Sequence, residues 1–161
     1  MIDKAAARQY VRAMRNRTVY LLGVVCLALA FSFLPGARAG AAEVQEANSG
    51  RGGETLDLQS LRVKGKTTLI EFYSPFCPPC VRLAPLLAAL AQKRSDVAIK
   101  KVNINRPEVK GIDWRSPLAQ QHKIRTVPYF VIFSPRGKAT EGQAASRQLE
   151  NWLVEAGLMG K

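Results

Sequence analysis

The sequence predicts an α/β domain that follows an N-terminal export segment. Its composition is that of a globular protein, with 47% apolar and 22% charged residues among 161. After residue 55, short runs of β-branched and aromatic residues alternate with segments of helical periodicity. Strands that alternate with helices form a sheet with helices layered on its faces.

The export segment is indicated by the order of three regions. Residues 1–18 are polar and basic, residues 19–34 form an uncharged apolar stretch, and Ala37-Arg38-Ala39 follows. This order is typical of a secretory signal peptide. The alternative is an uncleaved anchor, since sixteen helical residues cover about 24 Å of the roughly 30 Å hydrocarbon core. We expect residues 1–39 to be this signal peptide or anchor, so that the rest of the chain is periplasmic or exported, and is tethered to the inner membrane by residues 19–34 if cleavage does not occur.

The remainder divides into a linker and one domain. Residues 40–54 are small and polar and predict a linker with nothing to bury. Residues 55–161 form the predicted domain, whose elements follow from apolar periodicity and turn residues. We expect strands over 67–73, 97–104 and 129–133, a hairpin return over 138–140, and helices over 77–94, 116–123 and 146–156.

The net charge of +12 does not indicate a nucleic-acid partner. Residues 1–39 hold six of the 24 basic residues and a single acid, and the other basic residues are scattered singly along the chain. No aromatic residues that could stack on bases are interleaved with them. A solvated basic surface is therefore favoured, with membrane contact only through the N-terminal segment.

Cys77 and Cys80 are two residues apart, where a predicted strand gives way to a predicted helix. The helix N-terminus favours a thiolate at Cys77, and Cys80 would lie one turn further in and be more buried. This placement favours a redox pair in which Cys77 attacks a disulfide and Cys80 resolves the mixed disulfide. A zinc site is one alternative, although the exported part adds only His122 as a further soft ligand and zinc takes four. A static disulfide is the other, although so short a loop would stabilise little.

These residues belong to a wider pattern. The segment Ile70-Glu71-Phe72-Tyr73-Ser74-Pro75-Phe76-Cys77-Pro78-Pro79-Cys80, Pro85, and Ile124-Arg125-Thr126-Val127-Pro128 together resemble the thioredoxin family. The resemblance covers about residues 56–156. It implies a thioredoxin-like fold with a central mixed β-sheet and helices on both faces. It also implies a thiol–disulfide oxidoreductase that acts on protein thiols and disulfides and needs no metal or cofactor beyond the Cys77–Cys80 disulfide.

The resemblance assigns further site residues. It implies that Pro128 is cis and faces the dithiol, and that the backbone at Val127, together with Phe76, binds the extended chain of a substrate. Glu71 lies in a strand that otherwise looks buried, where a carboxylate is costly and its pKa rises. The family carries an acid here that shuttles the proton of the buried cysteine. The alternative is that Glu71 emerges at the edge of the sheet.

The sequence departs from the commonest family pattern at three positions, with Phe76 for Trp, Pro78 for Gly and Tyr129 for Thr. The resulting C-P-P-C motif and the export segment resemble membrane-side reductases of cytochrome c maturation and disulfide quality control, which implies a membrane electron-transfer partner. Pro78 and Pro79 lack the N–H groups that stabilise a thiolate at a helix start, and so favour a reductant. A disulfide-donating oxidase and a redox-inert binding or chaperone module on the same fold remain alternatives.

Overall fold

The computed structural model describes residues 43–160. The predicted signal peptide or anchor, residues 1–39, lies outside the described residues, as do residues 40–42 of the predicted linker. Within 43–160, no helix combines the length and apolar character needed to cross a membrane.

A five-stranded mixed sheet forms the centre of the domain. Its strands are β1 (Gln45–Glu46), β2 (Thr67–Tyr73), β3 (Val97–Asn103), β4 (Tyr129–Phe133) and β5 (Ala139–Glu141). Their order across the sheet is β1-β3-β2-β4-β5, with β1, β3 and β2 parallel and the last two strands antiparallel to their neighbours. The three main predicted strands and the predicted hairpin return are confirmed. Strand β3, predicted over 97–104, ends one residue early, at Asn103.

Helices cover both faces of this sheet, as predicted. They are α1 (Pro78–Lys93), α2 (Pro117–Gln121) and α3 (Gln143–Glu155), and a short 3₁₀ segment spans Leu58–Leu61. One core cluster joins the buried sides of α1 and α3 to one sheet face, and a second cluster joins α2 to the other face. The closing helix begins at Gln143, three residues before its predicted start, because Gly142 with φ 62° turns the chain directly out of β5.

The predicted linker, residues 40–54, differs from expectation where it is described. Gln45 and Glu46 pair with Lys100 and Lys101 as an edge strand. The Asn48 side chain is buried and makes two hydrogen bonds to the backbone of Asn103, donating at 2.8 Å and accepting at 2.9 Å. Polar side chains thus continue the strand pairing, which a search for apolar residues does not detect.

Candidate active site

The redox pair lies where β2 gives way to α1. Ser74 is fully buried and turns the chain, because its Oγ accepts the N–H of Phe76 at 3.1 Å and its carbonyl accepts the N–H of Cys77 at 3.1 Å. Cys77 is therefore held as the N-cap residue of α1, and Cys80 sits in the first turn. The two cysteines form a disulfide with their Cα atoms 5.3 Å apart.

The Cys77 sulfur lies at the helix terminus as the sequence predicts. The backbone N–H of Cys80 donates to Cys77 Sγ at 3.2 Å. An N-cap side chain accepts from the second or third helical residue, and the second here is Pro79, which has no N–H. Cys80 is the residue left to supply this hydrogen bond, so the helix end supports a Cys77 thiolate only in part.

Both cysteines are buried, which corrects the prediction that Cys77 is the more exposed. Each is 1% accessible, whereas Phe76 is 48% accessible and Pro78 and Pro79 are exposed. The backbone of a second segment covers the sulfur, because Val127 O lies 3.5 Å from Cys77 Sγ. Attack on a substrate therefore requires the substrate to approach along that backbone.

Phe76, Val127 and Pro128 form the surroundings of the disulfide. The Val127–Pro128 peptide is cis, as the resemblance implies. Val127 and Pro128 are half-buried, so they present surface beside the disulfide. The structure thus brings the predicted substrate-contacting backbone next to Cys77, with the exposed Phe76 ring on the residue immediately before it.

An apolar groove runs from this point between α1 and α3. It has a volume of about 290 Å³ and reaches from Pro79 and Pro128 to Met159. Its walls are formed by leucines from both helices, namely Leu83, Leu86, Leu149 and Leu153. A concave surface lined mainly by apolar side chains suits the burial of apolar groups of a bound molecule.

Glu71 is fully buried in the middle of the sheet, so the alternative that it emerges at the sheet edge is wrong. Its strand is flanked by β3 and β4, and neither carboxylate oxygen has a hydrogen-bond partner among residues 43–160. Burial raises the pKa of Glu71 to about 7, although the nearby Lys101 acts in the opposite direction. Glu71 also shares the sheet face on which α1, the helix of Cys80, packs.

Lys101 is a site residue that the sequence reasoning missed. Its Nζ lies 3.9 Å from Glu71 Oε2 and 4.0 Å from the centre of the Tyr73 ring. The sequence contained a signal for it. Val97 and Ile99 face the core, and Lys101 is the next residue on that side of the strand, where the alternation would place another apolar residue. A cation on the buried face of a strand requires a partner there.

His122 has a structural role. Its Nε2 lies 3.0 Å from the Leu56 carbonyl oxygen, and its ring packs 5.3 Å from that of Phe72. The two cysteine sulfurs are bonded to each other in the disulfide. The three residues considered for a zinc site, Cys77, Cys80 and His122, are therefore engaged in other interactions. Residues 43–160 bring together no group of three or more side chains suited to a metal ion.

A disulfide at a helix start, beside a cis-proline and a buried acid, is the site of a thiol–disulfide oxidoreductase. The family model described as Thioredoxin matches residues 57–155, and the chain belongs to that family. Members act on protein thiols and disulfides, and the cysteine pair itself carries the electrons, without an added cofactor.

The chain is also similar to individual proteins. Thioredoxin H3 of Arabidopsis thaliana is 32% identical over 87 residues, which span 54% of this chain and 66% of that protein. A protein disulfide-isomerase of Hordeum vulgare is 34% identical over 97 residues, which span 51% of this chain and only 19% of the isomerase. Thioredoxin f from spinach chloroplast, a solved structure, aligns at 22% identity with a TM-score of 0.49, over 72% of this chain and 88% of that one.

Proposed function

We propose that the chain reduces disulfides of proteins outside the cytoplasmic membrane. The observation that carries the direction is the hydrogen bonding of Cys77 Sγ, which receives the N–H of Cys80 while the two preceding helical residues are prolines. Strong oxidants owe their potential to a stabilised reduced thiolate. With fewer donors at contact distance, the dithiol is less stabilised and passes its electrons on more readily.

The proposed reaction has two exchange steps. The Cys77 thiolate attacks one sulfur of the substrate disulfide, the substrate S–S bond breaks, and the departing thiolate takes a proton from water. Cys80 then loses its proton and attacks Cys77 Sγ, which releases the second substrate thiolate and forms the Cys77–Cys80 disulfide. Two electrons pass from the dithiol to the substrate.

Glu71 is the proposed acceptor of the Cys80 proton. Because burial raises its pKa to about 7, the carboxyl gains and loses a proton near neutral pH. The same fully buried side chain makes no hydrogen bond within 43–160, so its proton affinity is set by desolvation and by Lys101 rather than by a fixed partner. A group with these properties suits proton transfer to and from a buried thiol.

The groove and the predicted export segment suggest the substrates and the electron donor. The apolar groove beside Pro128 suits an extended protein segment that carries a cystine, such as the cysteine pair of an exported apocytochrome c before haem attachment. After each turnover the Cys77–Cys80 disulfide must be reduced again. The proposed donor is a membrane dithiol protein, reached through the N-terminal segment, residues 1–39, if that segment is retained.

The equilibrium potential against glutathione tests the direction. We expect a value near that of thioredoxin, about −270 mV, and far from the roughly −120 mV of a strong disulfide oxidant. A potential above about −150 mV would instead support the disulfide-donating oxidase. A thiol titration before and after reductant tests the redox-inert alternative, which requires that Cys77 and Cys80 do not interconvert between dithiol and disulfide. Cell fractionation together with N-terminal sequencing of the mature chain tests export and cleavage.

A further inference from the structure

A row of charged residues crosses the sheet beside the redox pair. Glu46 of β1 is the register partner of Lys101 of β3, and Lys101 is the register partner of Glu71 of β2. Register partners on adjacent parallel strands project from the same face of the sheet, and neighbouring strands lie about 4.7–4.9 Å apart. Lys101 therefore stands between two carboxylates, one exposed and one buried.

Lys101 pairs with only one of these carboxylates. Its Nζ lies 3.9 Å from Oε2 of the buried Glu71, and no salt bridge within 4.0 Å joins it to Glu46 in the part of the chain that the structure describes. The exposed carboxylate would be the easier partner, since desolvation does not oppose its charge. Something must hold Glu46 away from Lys101.

Tyr73 supplies that restraint. It lies two residues after Glu71 on the same strand and therefore on the same face. Its phenol donates a hydrogen bond of 2.6 Å to Glu46 Oε1, a length typical of a strong bond to a charged acceptor. Its ring lies 4.0 Å from Lys101 Nζ, so the same side chain also contacts the ammonium group.

We propose that Tyr73 is a positioning residue that directs Lys101 towards Glu71 by engaging the competing carboxylate of Glu46. Burial and the hydrogen bond from the phenol to Glu46 raise the pKa of Tyr73, so the hydroxyl remains a donor over the working pH range. The surface strand β1 is thereby connected to the buried acid of the active site. The positioning of Lys101 by Tyr73 does not depend on the proposed role of Glu71 as proton acceptor. Only its effect on catalysis rests on that proposed function.

Other charged groups do not complicate this arrangement. From β4, the register partner of Glu71 is the uncharged Phe130. The buried side chains of α1 are Cys80, Leu87, Leu90 and Ala91, which carry no titratable group while the disulfide is formed, and those of α3 are apolar. Lys101 is therefore the charged side chain that acts on Glu71 directly, and Glu46 and Tyr73 adjoin Lys101 on the same face of the sheet.

The test is a titration of the Glu71 carboxyl by carbon-13 NMR in the full chain with its disulfide formed. In Tyr73→Phe the ring is kept and the hydroxyl is lost, so Glu46 is free to pair with Lys101. We expect the pKa of Glu71 to rise by about half a unit or more, because the nearest opposite charge is partly neutralised. Lys101→Gln removes that charge altogether and gives the upper limit of the rise.

The double variant Tyr73→Phe/Glu46→Gln decides the mechanism. Without the competing carboxylate, loss of the phenol hydroxyl should no longer matter, and the pKa of Glu71 should return to its wild-type value. Tyr129→Phe is the matched control, because it also removes a tyrosine–glutamate hydrogen bond, to Glu141 at 3.3 Å, without touching this row. An unchanged pKa in Tyr73→Phe, or an equal rise with and without Glu46, would overturn the proposal.

The pH profile of disulfide exchange separates this inference from the proposed role of Glu71. If Glu71 accepts the Cys80 proton, the midpoint of the profile should move with the carboxyl titration in Tyr73→Phe and return in the double variant. If the titration moves and the profile does not, Tyr73 positions Lys101 as proposed and Glu71 is not the proton acceptor.

Discussion

The backbone N–H of Cys80 donates to the Sγ atom of Cys77 at 3.2 Å, across the first turn of the helix that carries both residues. Cys77 is the N-cap residue, and the side chain of an N-cap residue usually accepts from the second or third helical residue. Proline at the second position leaves this interaction to Cys80. The redox potential of the cysteine pair should therefore depend on the identity of residue 79.

Pro79→Ala should make the redox potential less negative. Alanine at this position restores an N–H directed at Cys77 Sγ and stabilises the reduced thiolate. One such hydrogen bond contributes about 1–1.5 kcal/mol, which corresponds to roughly 20–30 mV for two electrons. Equilibration with glutathione measures the change, and a thiol titration should show a lower pKa for Cys77.

Pro78→Ala is the matched control for that variant. The first helical position also regains an N–H, but that group is not one that an N-cap side chain normally accepts. A clearly smaller change than in Pro79→Ala is expected. Equal changes in the two variants would show that proline affects the potential through the backbone of the loop rather than through hydrogen bonding to the sulfur.

Cys80→Ser should trap covalent complexes between Cys77 and its substrates. With no second thiol, the mixed disulfide formed by Cys77 cannot be resolved within the chain. Complexes that disappear on addition of reductant should be visible by non-reducing gel electrophoresis. Cys77→Ser is the control and should trap none, and the reverse outcome would assign attack to Cys80, which is equally buried in the disulfide.

Phe76→Ala should weaken the use of protein disulfides without affecting small ones. Phe76 is 48% accessible beside Cys77, so its ring can contact a polypeptide but is not needed for the core. We expect KM for a protein disulfide to rise several-fold, with an unchanged rate towards oxidised glutathione and a stability change within about 0.5 kcal/mol. Val81→Ala, at 59% accessible on α1, is the control and should behave as wild type in both assays.

Strong local patterns allowed most of the fold to be predicted from the sequence. The run Thr67–Tyr73 is rich in β-branched and aromatic residues and becomes β2 with the expected bounds. The start of α1 could also be predicted from local residues. Proline, here Pro78 and Pro79, is suited to a first helical turn, and a residue with a side-chain acceptor, here Cys77, is suited to the position before it.

Properties that depend on contacts between distant segments were not predicted. The burial of Cys77 depends on Val127, 50 residues away in the chain, and the partner of Glu71 lies on a different strand. Strand β1 spans only two residues, too few to show an alternating pattern. Its attachment relies on polar groups, which periodicity of apolar residues does not report.

Asn48→Ala should destabilise the domain although residue 48 lies in the predicted linker. The side chain donates to Asn103 O at 2.8 Å and accepts from Asn103 N at 2.9 Å. Alanine leaves the Asn103 N–H without this partner, whereas the Asn103 carbonyl keeps the N–H of Gly53 at 3.0 Å. A loss of about 1–3 kcal/mol is expected for buried polar groups left unsatisfied. Urea unfolding measures it, and Gln45→Ala, an exposed position on β1, is the control. A change within about 0.5 kcal/mol for Asn48→Ala would mean that water replaces the amide at no cost.

Glu71→Gln should remove a pH-dependent destabilisation of the folded state. The pKa of Glu71 is about 7 in the folded chain, against an ordinary value of 4.5, because burial disfavours the charged form. Between these values the folded state still holds a proton that the unfolded chain has released, so the free energy of unfolding falls as pH rises from about 4.5 to 7. At 1.36 kcal/mol per pH unit, the loss of stability approaches about 3 kcal/mol above pH 8.

Glutamine is neutral throughout, so the difference in stability between variant and wild type should shift by about this amount in favour of the variant between pH 4 and pH 8.5. Urea unfolding of the oxidised proteins at both pH values measures it, with Glu150→Gln on α3 as the control for removing one exposed negative charge from a basic chain. A difference between variant and wild type that is the same at both pH values would show that the pKa of Glu71 is the same in the folded and the unfolded chain, and its assignment as a proton acceptor near neutral pH would then be wrong.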